Sequence, residues 1–167
     1  MRLDTIYEEA AFSKAITAIM AGIAALMLGL ALFQLIVGPL GSRPAPTLLF
    51  VGIAALFGLL AVNFSRLIIR MTPDSVEIGY GIFRRRIRWS DIEGVHVDEL
   101  SALREGGVGV RVLKVKGKWR IVYSIVGGPR VVLSLRSGRF REVVFSTKNP
   151  DQVVELVRRY AGLRAPT

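Results

Sequence analysis

Arg84, Arg86 and Arg88 alternate with other residues in the run from Phe83 to Trp89, Phe-Arg-Arg-Arg-Ile-Arg-Trp. On a strand the three arginines share one face, with Phe83, Ile87 and Trp89 on the other. A row of guanidinium groups can hold carboxylate or phosphate oxygens through paired N–H donors. Lys114, Lys116 and Lys118, with Arg120, surround Gly117, and Arg136, Arg139 and Arg141 surround Ser137-Gly138. The chemistry these groups suggest is anion binding. Arg85 falls on the apolar side of its run. It must lie near the strand's open end, or the register must break there.

Catalytic chemistry finds less support. His96 is the single histidine, and there are no cysteines. Thiolate metal sites, iron–sulfur clusters and cysteine nucleophiles are therefore excluded. A lone strand histidine cannot build a metal cluster, and no Ser/His/Asp set accompanies it. Gly79-Tyr80-Gly81 begins a GxG, but Arg84 stands where a third glycine belongs and no helix follows. Gly106-Gly107-Val108-Gly109 lacks the lysine of a phosphate-binding loop. Asp98 and Glu99 are adjacent, so on a strand they point to opposite faces. The expectation is a non-enzymatic chain without cofactor or metal.

The elements that position these residues divide the chain. No charge occurs from Ala15 to Ser42 or from Pro44 to Ser65. Each run exceeds the roughly 20 residues that cross a bilayer core. Two transmembrane helices are expected, at about 15–38 and 47–68, making residues 1–70 a hairpin and 71–167 a second domain. The net charge is +10, and the excess lies from Arg66 onward. Arg43 is the one basic residue between the spans, whereas Arg66, Arg70 and Arg84 to Arg88 follow the second. Lys/Arg bias near spans sets orientation, so both termini should face the cytoplasm of a multi-pass cell-membrane protein.

Residues 1–12 carry apolar positions at helical spacing, which reads as an interfacial helix or an extension of the first span. Gln34 and Asn63 are the strongest polar groups in the spans, and neither span holds an ionisable residue, which argues against transport. Ala21, Ala25 and Gly29, and again Ala54 and Gly58, recur at four-residue spacing. Such spacing lets helices approach, either within the hairpin or between copies.

After Thr72-Pro73-Asp74 the period changes to two. Strands are predicted near 75–80, 83–89, 93–98, 108–115, 119–125, 130–136 and 140–146. The breaks include Gly79/Gly81, Arg104 to Gly107, Gly117, Gly127-Gly128 and Ser137-Gly138. A helix closes the domain. Asn149 suits its N-cap, Pro150 its first position, and Gln152 a capping box. Val153, Leu156, Val157 and Tyr160 make its apolar face, and Gly162 its C-terminal stop.

Seven antiparallel strands capped by one helix is the order of the pleckstrin-homology (PH) superfold. The stretch from Ser75 to Val97 resembles the first three strands of bacterial and archaeal PH-like domains, and Val144 to Val153 resembles their last strand and helix start. Membrane-anchored members with two N-terminal helices share the arrangement. The fold expected is a transmembrane α-helical hairpin plus an all-β PH-like domain, a seven-stranded antiparallel barrel or sandwich. The resemblance implies binding or assembly rather than catalysis. Arg84-x-Arg86-x-Arg88 partly resembles the phosphoinositide pattern of eukaryotic PH domains, but Val76, Glu77 and Ile78 stand where its upstream lysine is expected.

The leading expectation is a membrane-anchored module. It would bind a membrane protein complex or its own copies as a scaffold, assembly factor or accessory subunit. The alternative is a sensor of anionic lipid headgroups, and the third is an enzyme of unknown substrate. Arg84, Arg86, Arg88, Lys114, Lys116 and Lys118 are the candidate contacts to membrane surface or partner. Nucleic acid is not expected.

Overall fold

A computed structural model describes residues 5–38, 45–98, 109–115 and 117–163. The chain forms two compact units, one of residues 14–65 and one that joins the segment before Lys14 to everything from Arg66 onward. The Arg43 loop and the predicted break at 104–107 lie outside the described residues.

The helical unit consists of α1 (Lys14–Val37) and α2 (Ala45–Asn63), both long and apolar enough to cross a membrane. Their mutual contact buries Ala31, Ala54 and Ala61, small side chains that let the backbones approach. Thr47 Oγ1 donates to Gln34 Oε1 at 3.3 Å, so the polar group of the first helix meets a partner on the second. Leu26, Phe33, Leu35, Leu48, Leu59 and Val62 are exposed. Apolar exposure of this kind suits a hydrocarbon solvent. Of the small residues singled out by spacing, Ala54 is buried and Gly58 half-buried, whereas Ala21, Ala25 and Gly29 are exposed. The contact runs through Ala31 instead.

Two expectations about the hairpin's ends are corrected. The second helix stops at Asn63 rather than near 68, because residues 66–71 form a strand. Residues 7–12 are also a strand, not a helix. Pairing outweighs the weak helical spacing of that segment. β1 (Tyr7–Phe12) lies antiparallel to β2 (Arg66–Met71), with Tyr7 opposite Met71 and Phe12 opposite Arg66. Its period-two alternation buries Glu9 and Ala11 and exposes Glu8, Ala10 and Phe12. The helical hairpin is thus an insertion between two paired strands of the β unit. The chain leaves at Phe12 and returns at Arg66.

The first sheet continues with β3 (Ser75–Tyr80) and β4 (Phe83–Arg88), in the order β1-β2-β3-β4. A short 3-10 turn, Trp89–Asp91, leads to the second sheet. That sheet holds β5 (Ile92–Val97), β6 (Gly109–Val115), β7 (Lys118–Ser124), β8 (Arg130–Leu135) and β9 (Glu142–Ser146), ordered β5-β8-β9-β7-β6. The seven predicted strands all occur, and β1 and β2 add two. They form two sheets rather than a closed barrel, and they are not all antiparallel, since β7 runs parallel to β9.

Leu67, Ile69, Met71, Val76, Ile78 and Tyr80 on the first sheet are fully buried, as are Val131, Leu133, Val143 and Phe145 on the second. Each wholly buried side chain of this size contributes about 1.5–3 kcal/mol. Tyr80 ties the sheets together, its hydroxyl donating to the Ser124 carbonyl at 2.9 Å. Gly79 must be glycine: a Cβ there would run into the Phe83 carbonyl and the Arg84 backbone.

α3 (Pro150–Ala161) packs on β5 and β8 through Val153, Val154 and Val157. Asn149 occupies the N-cap position but makes no side-chain cap bond there. Gly162 ends the helix in the left-handed region, at φ 65°. Tyr160 stacks on Trp89 at 5.7 Å, and the Trp89 indole donates to the Thr72 carbonyl at 2.9 Å.

Candidate functional site

The alternation of Arg84, Arg86 and Arg88 survives in the structure. All three are exposed on the outer face of the first sheet, opposite Gly79, Glu77 and Ser75 respectively. Acids share that face. Glu8, Arg70, Glu77 and Arg86 stand in register across the four strands. Arg70 pairs with Glu8 at 3.0 Å and Arg84 with Glu77 at 3.5 Å. The Glu8 carboxylate pushes the Arg70 guanidinium further up. Exposed pairs like these add little stability, but they neutralise part of the row.

Arg86 Nε donates to Ser75 Oγ at 2.7 Å, and Ser75 Oγ lies 3.2 Å from Thr72 Oγ1. The turn between β2 and β3 thereby positions Arg86. Arg86 and Arg88, with Ser75, Asp74 and Asp91, line a cleft of about 430 Å³. Its two arginines could hold an anion, and its two aspartates weaken the preference.

The lysines around Gly117 are split. Lys114 pairs with Trp119 across the turn and lies on its face, while Lys118 pairs with Val115. Lys118 shares parity with Arg120 on the opposite face. Lys116 lies outside the described residues. His96 is exposed on β5, opposite Val132. Among the described residues, no group of His, Asp and Glu could hold a metal ion.

A cluster that the spacing did not assemble surrounds Trp119. Arg139 lies 5.8 Å from the Trp119 ring and 5.8 Å from the Phe140 ring. Arg85 lies 5.1 Å from the Phe140 ring, and the Lys114 ammonium 5.9 Å from that of Trp119. The register of β4 does not break at Arg85, which pairs with Ile78. Its side chain is half-buried and ends over an aromatic ring. Burial raises the neighbouring Tyr123 phenol, and the Arg85 charge partly opposes that rise. Backbone bonds fix the segment between β8 and β9: Arg141 N donates to the Trp119 carbonyl at 2.9 Å and Leu135 N to the Arg141 carbonyl at 2.8 Å. The sequence signal for this cluster was Arg85 itself, a cation at inward parity.

A second ionic group is buried in the β5–β8–β9–β7 sheet. Arg130 meets Asp98 at 3.0 Å, and Arg120 meets Glu142 at 2.7 Å and Asp98 at 4.0 Å. Arg120, Arg130 and the Asp98 side chain are each less than a tenth exposed. Val122, Val132 and Val144 form a buried row on the same sheet, with Leu113 against it. Each of these buried charges has an opposite charge beside it, which offsets the cost of taking it out of water.

No curated protein and no solved structure matches the chain. Residues 66–161, from the first residue of β2 to the last of α3, match the bacterial PH domain family. The match spans both sheets except β1, together with the closing helix, and by it the chain belongs to the bacterial PH domain family.

Proposed function

We propose that the chain is a non-enzymatic membrane protein whose PH domain binds a protein partner at the cytoplasmic membrane surface. Its role would be that of a scaffold, assembly factor or accessory subunit of a membrane complex. PH-like domains commonly mediate protein or lipid interactions, and the family membership supports a binding role. The observation that carries the reading is the array formed by exposed Trp119, Arg139 and Lys114 with half-buried Arg85 and Phe140. Trp and Arg are the side chains that dominate protein interfaces. The strand-paired hairpin supports the anchoring, since the β unit is joined to it at two points, Phe12 and Arg66. Crosslinking in native membranes, followed by mass spectrometry of the purified full chain, tests the reading. A reproducible partner or homo-oligomer is expected. A lone monomer in mild detergent, with nothing crosslinked, overturns it.

The anionic-lipid reading is favoured by one observation, the Arg86–Arg88 cleft. The full chain, reconstituted in vesicles with and without phosphatidylglycerol, should then show lipid-dependent protection of β4 from hydrogen exchange. Arg86→Glu with Arg88→Glu should abolish the difference. Identical protection in both vesicles removes this reading.

A further inference from the structure

We propose that Trp119, Phe140, Arg85, Arg139 and Lys114 dock an acidic segment of the partner, with apolar residues interspersed among its carboxylates. The proposal rests on the partner-binding reading and names the chemistry of what is bound. Two guanidinium groups, Arg85 and Arg139, sit over the single ring of Phe140, and Arg139 is shared with Trp119. Lys114 brings a third positive charge to Trp119. Among the described residues none of the three has an ion-pair partner, whereas Arg70, Arg84, Arg120 and Arg130 each have one. Like charges gathered this closely repel, and an anion relieves the repulsion.

A guanidinium over a ring still carries the planar fork of N–H donors that matches a carboxylate bidentately. An apolar flank continues the surface. Val112 is 47% exposed and Trp119 39% exposed. Val112 pairs with Ile121 just as Lys114 pairs with Trp119, so all four share one face of β6 and β7. Charge next to exposed aliphatic surface matches a segment that mixes acids with Leu or Val. A headgroup layer fits less well. Cations of the protein itself already lie over both rings, so the rings are not free to enter hydrocarbon. The array is also fixed by β4, β6, β7 and the segment between β8 and β9, which suits discrete carboxylates rather than a fluid surface.

The chain has two tryptophans, and Trp89 is only 6% exposed. Iodide quenching of tryptophan fluorescence therefore reads Trp119. The test uses the full chain in nanodiscs of phosphatidylcholine, titrated with a synthetic peptide of alternating glutamate and leucine. Its glutamine counterpart is the control. Saturable protection of Trp119 by the glutamate peptide is expected, weakening as salt is raised. Arg85→Glu with Arg139→Glu should weaken binding by at least about tenfold. The milder Arg85→Gln with Arg139→Gln should weaken it less, and Arg159→Glu on α3 should not change it. Near-ultraviolet circular dichroism from the Trp89–Tyr160 stack verifies that each variant is folded.

No binding, equal binding of the glutamine peptide, or unchanged binding by the folded Gln/Gln and Glu/Glu variants overturns the proposal. So does protection seen only when phosphatidylglycerol replaces the zwitterionic lipid. If native crosslinking still finds a partner for the Glu/Glu variant, the acidic docking surface is wrong while the partner-binding reading stands.

Discussion

The carboxylate of Glu9 accepts a hydrogen bond from Thr147 Oγ1 at 2.5 Å, and its other oxygen accepts one from the Lys148 backbone N–H at 2.8 Å. The strand before the helical hairpin is thereby bonded to the segment that opens the last helix. Tyr7 donates to the same carboxylate at 2.8 Å, and burial raises the Tyr7 phenol. Glu9→Ala leaves the buried Thr147 hydroxyl, and the part-buried Tyr7 hydroxyl and Lys148 N–H, without their acceptor. A fully buried orphan costs about 1–3 kcal/mol, and one that water can reach costs less. The variant should lose about 2–4 kcal/mol, seen as a lower urea midpoint, and Glu9→Gln should lose less because one oxygen remains. An unchanged midpoint for Glu9→Ala would show that this link carries no stability.

Asp98 faces both Arg130 and Arg120. Its removal leaves two buried guanidinium groups with Glu142 alone between them. Asp98→Ala should therefore cost about 3–5 kcal/mol, while Asp98→Leu combined with Arg130→Met should cost clearly less. Denaturant unfolding of the two variants decides the matter. Equal losses would mean that the pair is not coupled.

The seven strands from Ser75 to Ser146 and the helix at 150–161 were legible because their signals are local. Alternation, turn glycines and an apolar helix face each act within a few residues. β1 and β2 were not legible for the opposite reason. Tyr7 to Phe12 and Arg66 to Met71 become strands only by pairing with each other and with β3, across an insertion of about fifty residues. The site divides in the same way. The shared face of Arg84, Arg86 and Arg88 follows from parity within one strand, and the structure keeps it. The convergence of Arg85, Lys114, Trp119, Arg139 and Phe140 depends on how the two sheets meet, which no local pattern encodes. The parity of Arg85 marked it as misplaced without showing which ring it would meet.

Tyr80 makes stability fall at alkaline pH. Burial pushes its phenol from 10 to about 12, since the ionised form would sit in the core beside the Ser124 carbonyl. The folded state holds the proton more tightly than the unfolded chain. The contribution of Tyr80 is thus fully present below pH 10 and is lost as the pH rises towards about 12. Two units correspond to about 3 kcal/mol. Unfolding free energy measured from pH 9 to 12 should show this decline, and Tyr80→Phe should reduce it, leaving the part that Tyr7 and Tyr123 contribute. A wild-type curve that stays level over that range would contradict the burial of an un-ionised phenol.

The in-register pairing of Phe12 with Arg66 means that the β unit should not need its hairpin to fold. Opposite residues of an antiparallel pair are only about 4.5–5.5 Å apart, a gap that a short turn closes. Replacing residues 14–65 by Gly-Asn-Gly leaves a four-residue loop that begins at Ser13, a length common in hairpins. That protein should be water-soluble and should unfold cooperatively, with the circular dichroism of the Trp89–Tyr160 stack intact. The fragment 72–167 makes the opposite prediction. It lacks β1 and β2, so it exposes the edge of β3 and uncovers Val76 and Ile78, which Met71 and Ile69 face in register. An unpaired apolar edge of that kind invites aggregation. The fragment should precipitate or remain unfolded, although its sequence includes seven of the nine strands and the closing helix. If instead the fragment folds as well as the excised protein, β1 and β2 are dispensable additions. The hairpin would then be an anchor preceding the domain rather than an insertion within it.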